Sequence, residues 1–270
     1  MSHTASQGPQ RIVCLTEETT ETLYLLGEQD RIVGISGFTV RPPQARKEKP
    51  KVSAFTSAKI DKILALEPDL VLGFSDLQAD IAAQLIRAGV AVHVFNQRTV
   101  AGIFEMVTML GAMVGATAKT QTLITGLRAE LAAIEQSAAR LPRRPHVYFE
   151  EWDEPLISGI GWVSELIAIA GGEDSFPELA RQSSAKQRII ADAVEVVRRA
   201  PDIVIGSWCG KKFQPQQLRA RPGWEAIPAV RNGHVYEIKS CDILQPGPAA
   251  LTDGVRQLHA LIQCWAQGQI

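Results

Sequence analysis

Cysteine, histidine and aromatic residues are scarce in this sequence. Among 270 residues there are four cysteines and five histidines, and the aromatic residues make up 6%. The cysteines are widely separated and form no CxxC pair, so their spacing predicts neither a disulfide framework nor a structural zinc site. The histidines are isolated from one another, which disfavours a zinc or manganese site.

The short motifs of nucleotide-binding and hydrolytic enzymes are also missing. The chain contains no GxGxxG, no GxxxxGK(S/T), no GxSxG and no HExxH. These motifs position the glycine loops, nucleophiles and zinc ligands on which the corresponding activities depend. We therefore predict a protein that is not an enzyme and that requires no cofactor.

A surplus of positive charge and long apolar runs are lacking too. The formal net charge is −1, which gives no electrostatic basis for attraction to a phosphate backbone and predicts no nucleic-acid partner. No stretch approaches the roughly 20 consecutive apolar residues of a membrane-spanning helix, so we predict no membrane span.

The amino-terminal residues bear on where the protein is located. They read MSHTASQGPQ and lack the charged, apolar and small-residue regions of an export signal. We therefore expect either a cytoplasmic protein or one whose signal has been removed.

The sequence does contain a regular alternation of β-rich and helical runs. Hydrophobic residues make up 46% of the chain and charged residues 21%, a balance that supports packed cores. From Arg11 onward the runs are RIVCL, TEETTETLYLLG, RIVGIS, KIDKILALEPD, DLVLGF, DIAAQLIRAG and VAVHVF. Such alternation is typical of an α/β fold in which helices cover a parallel sheet.

A long helical stretch interrupts this alternation. Apolar residues recur at helical spacing over residues 99–141, with one break expected between Gly111 and Thr117, and the alternation then restarts with HVYFEEW. We therefore predict an N-terminal lobe over 1–98, a helical connector over 99–141 and a C-terminal lobe over 142–270.

Two passages on either side of the connector have the same form. KIDKILALEPDLVLGF and DAVEVVRRAPDIVIGSW each run from a helix through Pro-Asp to an apolar strand and an aromatic residue. A supersecondary unit that is repeated on both sides of a long helix predicts two similar lobes.

The chain resembles the helical-backbone substrate-binding proteins of cobalamin and iron-siderophore ABC importers, and the cobalamin-binding branch most of all. The resemblance covers Arg11 to Trp265 and rests on RIVCLTEETTETLYLLG, RIVGISGF followed by RPPQA, the repeated PD(L/I)V(L/I)G unit and IAGGEDSF. It implies two Rossmann-like lobes with parallel sheets, joined by one long helix, and a cleft between them for a cobalamin-like corrinoid or an iron chelate such as a siderophore or haem. It also implies a periplasmic location and an ABC permease partner.

Candidate ligand contacts in the first lobe follow its predicted strands, because ligands of open α/β sheets collect beyond the carboxyl ends of strands. Glu17 and Glu18 follow RIVCL; alternatively, this segment is a helix cap centred on Thr16. By their order, Phe38 and Phe55 resemble family positions that place aromatic side chains against a flat macrocycle. The alternative for each phenylalanine is a place in the core.

The second lobe contains further candidate contacts. The acidic and aromatic run EEWDEP, from Glu150 to Pro155, follows HVYF and is expected to form a cleft rim. The predicted ligand-binding residues of this lobe are Glu151, Trp152, Trp162, Trp208, Cys209, Cys241 and Asp242. We expect Trp152→Ala and Trp208→Ala to lower ligand affinity at least tenfold, about 1.4 kcal/mol, and to leave thermal stability nearly unchanged.

Two of these candidates, Cys209 and Cys241, would face each other if their strands are neighbours. Such a pair would suit a soft metal, a cobalt-bearing ligand or a labile disulfide, and the alternative is two small residues in tight loops. The same region carries a rival hypothesis. A cytoplasmic enzyme or ligand-handling protein would use Glu151, Asp242 and the two cysteines as acid, base or thiol.

Docking on a permease is implied by the resemblance, since related binding proteins use one acidic residue in each lobe. Asp61 occupies the first of these places. Val194 occupies the second, with Asp192 and Glu195 close by in sequence, and the loop at 210–212 adds basic charge. This difference from the family pattern keeps a cytoplasmic role open.

Overall fold

The computed structural model describes residues 8–268. Contacts divide the chain into two compact units. One contains the described residues up to Gln97 together with Ala101–Gly126, and the other contains Arg98–Val100 and the described residues from Leu127 onward. The residues before Gly8, which carry most of the expectation about export, lie outside the described residues.

The first unit is built on a parallel sheet. Its strands are β1 (Ile12–Cys14), β2 (Ile32–Ser36), β3 (Lys51–Ser53), β4 (Leu70–Phe74) and β5 (Val92–Phe95). The sheet order is β3-β2-β1-β4-β5, and every neighbouring pair is parallel. The helices that begin in this part of the chain are α1 (Glu17–Leu25), α2 (Pro43–Glu48), α3 (Ile60–Leu64), α4 (Ala79–Arg87), α5 (Val100–Met113) and α6 (Thr117–Ala138).

The central strands of this sheet are buried along their whole length. Each residue of β1 is fully buried, and so is nearly all of β4. Strands that are covered by helices on both faces must be apolar on both faces, which explains why RIVCL and DLVLGF are continuous apolar runs instead of alternating ones. The predicted parallel α/β class is confirmed.

Helix α1 ends at a glycine. Gly27 adopts a positive φ of 70° just beyond the last helical turn. Its N–H donates to the carbonyl of Tyr24, and the N–H of Glu28 donates to the carbonyl of Leu23, at 3.0 and 2.8 Å. These two bonds form a Schellman motif, in which glycine is favoured because a side chain resists this conformation.

The predicted connector consists of two helices, with the break at residues 114–116. Gly115 supplies a positive φ of 71° there. The Thr120 side chain lies against Gly111, where a Cβ atom would collide with it, so glycine allows the two helices to approach closely. Helix α5 packs on the first core through Met106 and Leu110, and α6 continues from the first unit into the second.

The second unit contains a mixed sheet. Its strands are β6 (His146–Asp153), β7 (Leu156–Ser158), β8 (Glu173–Asp174), β9 (Ile203–Gly206) and β10 (Val235–Glu237). The order is β10-β9-β6-β7, with β8 also paired to β6. The helices are α7 (Gly161–Ile169), α8 (Pro177–Ala180), α9 (Val194–Arg199), α10 (Pro215–Arg219), α11 (Pro228–Arg231), α12 (Ser240–Ile243) and α13 (Val255–Ala266), preceded by a π-helical turn at Ala250–Gly254.

One strand of this second sheet departs from the predicted parallel arrangement. Strands β8, β9 and β10 are parallel to their neighbours, whereas β7 is antiparallel to β6. Strand β6 runs on through the EEWD residues and turns back at once as β7, and a connection that short can join only antiparallel strands. The run EEWD is therefore part of the sheet and not a loop beyond it.

The repeated Pro-Asp pairs form the same local structure in both units. Glu67 and Ala200, each directly before the proline, both have a φ of 46°. The carboxylate of Asp69 accepts the N–H groups of Gln10 and Arg11 at 2.6 and 2.9 Å. The carboxylate of Asp202 accepts the N–H of His146 at 2.9 Å. Each aspartate thus joins the start of one central strand to the start of its neighbour.

Among the described residues, no helix combines the length and the apolar character that a membrane span requires.

Loss of either Pro-Asp carboxylate should destabilise the protein. We expect Asp69→Ala to lower the free energy of unfolding by about 2 kcal/mol, because two backbone N–H groups lose a charged acceptor. Asp202→Ala should cost about half as much, since it accepts one. Urea unfolding measures both, and Asp80→Ala on the exposed side of α4 is the control, with an expected change within about 0.5 kcal/mol. Equal losses in all three variants would contradict this role.

Candidate functional site

Phe38 is an exposed aromatic side chain at the carboxyl edge of the first unit's sheet. It follows β2, and it is 58% exposed. Phe55 follows β3, is partly buried and packs against the first core. The two predicted aromatic residues therefore differ, because Phe38 offers most of its ring to solvent whereas Phe55 presents only part of it.

The loop that carries Phe38 is held from two sides. The carboxylate of Glu17 accepts the N–H of Val40 and, at 3.1 Å, the N–H of Arg41. The guanidinium of Arg46 donates to the carbonyls of Gly37 and Thr39, at 2.8 and 3.2 Å. The backbone that carries the exposed Phe38 ring is therefore fixed, because its polar groups are hydrogen-bonded within the protein.

Glu17 and Glu18 lie inside the first unit, which corrects their prediction as ligand contacts. Their exposed fractions are 4% and 1%. Glu18 accepts the Thr16 hydroxyl at 2.6 Å. Thr16 does occupy the N-cap position of α1, but its hydroxyl makes no capping bond. The helix starts at the predicted residue, and the two carboxylates serve the protein's own structure.

Burial changes the titration of both carboxylates. It raises the pKa of Glu17 from 4.5 to about 7, although the N–H groups of Val40 and Arg41 oppose the shift. Burial also raises the pKa of Glu18 to about 7, against the bond from Thr16. The physical cause is the loss of water around a charged group.

Gln78 is a positioning residue that sequence reasoning missed. It is 1% exposed. Its amide donates to the carbonyl of Phe55 at 2.9 Å and accepts the N–H of Phe74 at 2.9 Å. It therefore connects the end of β4 to the segment after β3. Gly73 makes room for this side chain, because a Cβ there would lie 2.8 Å from the Gln78 oxygen; a glycine inside an apolar strand was the available sequence clue.

Glu150 is a core residue of the second unit, which corrects its placement on a cleft rim. It is fully buried. Arg221 donates two hydrogen bonds to its carboxylate, at 2.5 and 2.9 Å. The indole N–H of Trp208 and the hydroxyl of Tyr148 donate at 3.0 and 3.1 Å. A buried carboxylate is tolerated only with such compensation.

Trp208 and Trp162 are also buried, at 3% and 2% exposure. The Trp208 ring packs edge-on against Phe213, with ring centroids 5.0 Å apart. Trp162 donates its indole N–H to the carbonyl of Ile243 at 2.9 Å. Both were predicted as ligand contacts, and the structure places both in the core. Their patterns misled because a tryptophan after a strand or a glycine is compatible with either location.

Trp152 and Glu151 retain partial exposure on β6. The Trp152 indole N–H donates to the carbonyl of Glu154 at 2.8 Å. Glu151 forms a two-bond ion pair with Arg188, at 2.6 and 3.0 Å. The carboxylate of Glu151 is therefore committed to a buried arginine, which disfavours it as the acid or base of the rival enzyme hypothesis.

Cys209 and Cys241 follow β9 and β10, which are neighbouring parallel strands. The condition set for this cysteine pair, that their strands are neighbours, is therefore met. Cys209 is exposed and Cys241 partly buried, and neither forms a disulfide. The Cys241 thiol lies 3.6 Å from Oδ1 of Asp242, and Oδ2 of the same carboxylate accepts from the Gln257 amide at 3.2 Å. Within residues 8–268, no cluster of His, Cys, Asp and Glu is arranged to hold a metal ion.

The predicted docking residues have different surroundings. Asp61 is exposed in the first turn of α3. Val194 is 56% exposed at the start of α9. Glu195 beside it is paired with Arg198 and Arg199, at 2.6 and 2.9 Å. The first unit thus presents an exposed acid at the predicted place, and the second presents an apolar residue.

The raised pKa of Glu17 predicts a pH effect on stability. Between its ordinary value of 4.5 and about 7 the folded state binds more protons than the unfolded state, so the free energy of unfolding falls as the pH rises through this range. Glu17→Gln should reduce the fall between about pH 5 and pH 8 by roughly 1 to 3 kcal/mol. Urea unfolding at both values measures it. The exposed Glu105→Gln is the control and should follow the wild type; a parallel shift in both variants would contradict the assignment.

The core position of Trp208 predicts a stability loss in place of a binding effect. Trp208→Ala should lower the free energy of unfolding by about 3 to 5 kcal/mol, because it leaves a cavity and removes a donor to Glu150. Trp152→Ala, at the edge of the same core, should lose less than half as much. Thermal and urea unfolding compare the two, and equal small losses would show that the Trp208 ring is not a core element.

Several known proteins are similar to this chain over most of its length. A vitamin B12-binding protein of Vibrio parahaemolyticus is 26% identical over 270 residues, covering 96% of this chain and 89% of the relative. An uncharacterized ABC transporter substrate-binding lipoprotein of Bacillus subtilis is 25% identical over 264 residues, covering 94% and 80%. A periplasmic heme binding protein from Pseudomonas aeruginosa, solved by crystallography, has a TM-score of 0.80 at 21% identity, covering 94% of this chain and 93% of that chain. The last similarity establishes the fold.

A family description matches directly as well. The family described as "Periplasmic binding protein" covers residues 12–241 of this chain. That range includes both sheets, from β1 to β10, and both Pro-Asp pairs. The resemblance found in the sequence is confirmed, and the chain belongs to the periplasmic binding protein family.

Proposed function

We propose that this protein binds a flat metal-chelate macrocycle, most specifically a cobalamin-like corrinoid, and delivers it to an ABC permease without chemical change. Family membership supports the class of function, and the relative from Vibrio parahaemolyticus is named for vitamin B12. The structural observation that carries the choice of ligand is the exposed ring of Phe38 at the carboxyl edge of the first sheet.

An exposed phenylalanine at this edge is suited to a flat apolar face. A large aromatic surface gains about 25 cal/mol for each Å² of apolar area removed from water, without directional demands. The Phe38 loop is already held by Glu17 and Arg46. Binding therefore orders little additional backbone, and more of the contact energy appears as affinity.

The second unit supplies contacts of a more polar kind at the carboxyl edge of its own sheet. Trp152 remains partly exposed on β6, and Cys209, Cys241 and Asp242 follow β9 and β10. These residues stay proposed ligand contacts. Amide, carboxylate and hydroxyl groups on the rim of a corrinoid are suited to such partners. The ligand is a transported solute, and no cofactor enters the proposal.

Binding without catalysis is favoured over the rival enzyme hypothesis. Glu151 is engaged by Arg188, and Asp242 is engaged by Gln257. Asp242 also lies 3.6 Å from the Cys241 thiol, so the argument for binding rests on the ion pair of Glu151 and on the family, which is one of solute-binding proteins.

Permease docking is proposed through Asp61 in the first unit. This acid is exposed and belongs to α3, directly before the first Pro-Asp pair. In the second unit, Glu195 is neutralised by two arginines, so docking there would involve the exposed Val194 surface or Asp192. A periplasmic location follows from the family, and a cytoplasmic one stays a prediction that cell fractionation distinguishes.

The proposal is tested by titrating the purified protein with cyanocobalamin, haemin and a ferric hydroxamate in a calorimeter. We expect saturable binding of cyanocobalamin with no turnover of the ligand, as judged by mass spectrometry before and after incubation. If only haemin or the ferric hydroxamate binds, the ligand is an iron chelate and not a corrinoid. Failure of all three to bind would overturn the proposal.

The variant Phe38→Ala tests whether the Phe38 ring contacts the ligand. We expect it to weaken binding about tenfold or more, equivalent to about 1.4 kcal/mol, with thermal stability unchanged because the ring packs on little. Ile86→Ala is the matched control, since Ile86 is 60% exposed but lies near the end of α4. Equal affinity of the two variants would place the ligand elsewhere.

A further inference from the structure

Lys211 lies over two tryptophan rings in the second unit. Its ammonium nitrogen is 4.5 Å from the centroid of the Trp152 ring and 4.7 Å from that of Trp208. The same nitrogen is 2.6 Å from Oδ1 of Asp153. Two aromatic faces and a carboxylate around one ammonium group are the components of an organic-cation site.

The walls of this cation box, meaning Trp152, Trp208 and Asp153, are fixed independently of Lys211. Trp208 is held by Glu150 and by the Phe213 ring. Trp152 is held by its bond to the Glu154 carbonyl, and Asp153 belongs to strand β6. The box would therefore keep its shape if the lysine left.

Lys211 itself is attached less firmly. It lies in the loop between β9 and α10, directly after Gly210, which has a positive φ of 79°. Its side chain is 41% exposed. A long flexible side chain on such a loop can reach solvent, so the occupant can move while the walls stay.

The charges around the box favour a cation when the lysine is absent. Glu150 is neutralised by the two hydrogen bonds from Arg221. Asp153 has a side chain that is only 6% exposed, and within the described residues its Oδ1 has no hydrogen-bond partner besides the ion pair with Lys211. Withdrawal of Lys211 removes the direct ion pair of this buried carboxylate and leaves it only the longer-range attraction of Arg221. Another cation in direct contact would restore the lost pairing.

We propose that Trp152, Trp208 and Asp153 form a binding site for an alkylammonium group, which Lys211 fills until a cationic ligand displaces it. The ligand class is a primary or methylated ammonium ion, because aromatic faces attract such ions and the carboxylate neutralises them. Lys211 competes as a tethered group with an effective concentration on the order of mM, so free amines bind the wild-type chain weakly. Trp152 is also a proposed macrocycle contact, but the ammonium site is argued from the contacts of Lys211 and does not depend on the identity of the macrocycle.

The test uses Lys211→Ala in the full-length chain, with n-butylammonium chloride as the probe. Butylammonium contains the three methylene carbons and the ammonium nitrogen that the substitution removes, with one methyl group in addition. We expect saturable shifts of the Trp152 and Trp208 indole N–H resonances in NMR, and a rise in melting temperature. The affinity should exceed that of the wild-type chain by about tenfold or more. Sodium chloride at the same ionic strength should produce neither effect.

Two further variants make the result specific. Lys212→Ala removes the neighbouring exposed lysine and should bind butylammonium as weakly as the wild type. The double variant Lys211→Ala with Asp153→Asn keeps the shape of the box but removes its charge, and it should lose about tenfold or more of the gained affinity. Undiminished binding by the double variant, or equal binding by the Lys211 and Lys212 variants, would overturn the proposal.

The wild-type chain provides a measurement that does not depend on folding of a variant. At high butylammonium concentration, displacement of Lys211 should shift the same two indole resonances and leave those of the other tryptophans in place. If no concentration shifts them in the wild type, and Lys211→Ala is also unresponsive, the site does not exist. The outcome is independent of whether the macrocycle binds.

Discussion

In each unit, one pair of parallel strands sets the positions of the residues at the carboxyl edge of the sheet. These pairs are β1 with β4 and β6 with β9, and in each a carboxylate from the Pro-Asp pair binds the backbone at the start of the partner strand. Parallel strands that start together also end together, on the same edge of the sheet. The loops that bear Phe38, Phe55 and Cys209, and helix α12 with Cys241, therefore lie at the carboxyl edges, where solutes of open α/β sheets are bound.

The second constraint is the cost of a buried charge. Glu150 lies in the middle of an apolar sheet, and its carboxylate is tolerated because Arg221, Trp208 and Tyr148 all donate to it. The same network fixes the Trp208 ring, which in turn forms a wall for the ammonium group of Lys211. An acidic residue whose sequence context resembles a cleft contact is thus a buried core residue, and the Lys211 side chain lies over the tryptophan that it holds.

The two units hold their exposed aromatic residues in different ways. Phe38 is presented on a loop whose backbone is bound by Glu17 and Arg46, so its ring is open to solvent while its position is fixed. Trp152 is part of a strand and is covered by Lys211. A platform that is rigid and open favours tight binding of a flat ligand, whereas a covered one favours exchange of one cation for another.

The sequence by itself determined the local structure of this protein. Apolar runs, helical spacing, Gly27 and the Pro-Asp pairs act over a few residues, so the parallel sheets, the helix stops and the repeat could be predicted, and the family followed from their order. Only the tertiary structure decided which side chains face solvent. Glu150 meets Arg221 across 71 positions of the chain and Trp208 across 58, and Glu17 meets Val40 across 23. No local pattern encodes such pairings, because they form only when separate strands bring distant loops to the same edge of a sheet.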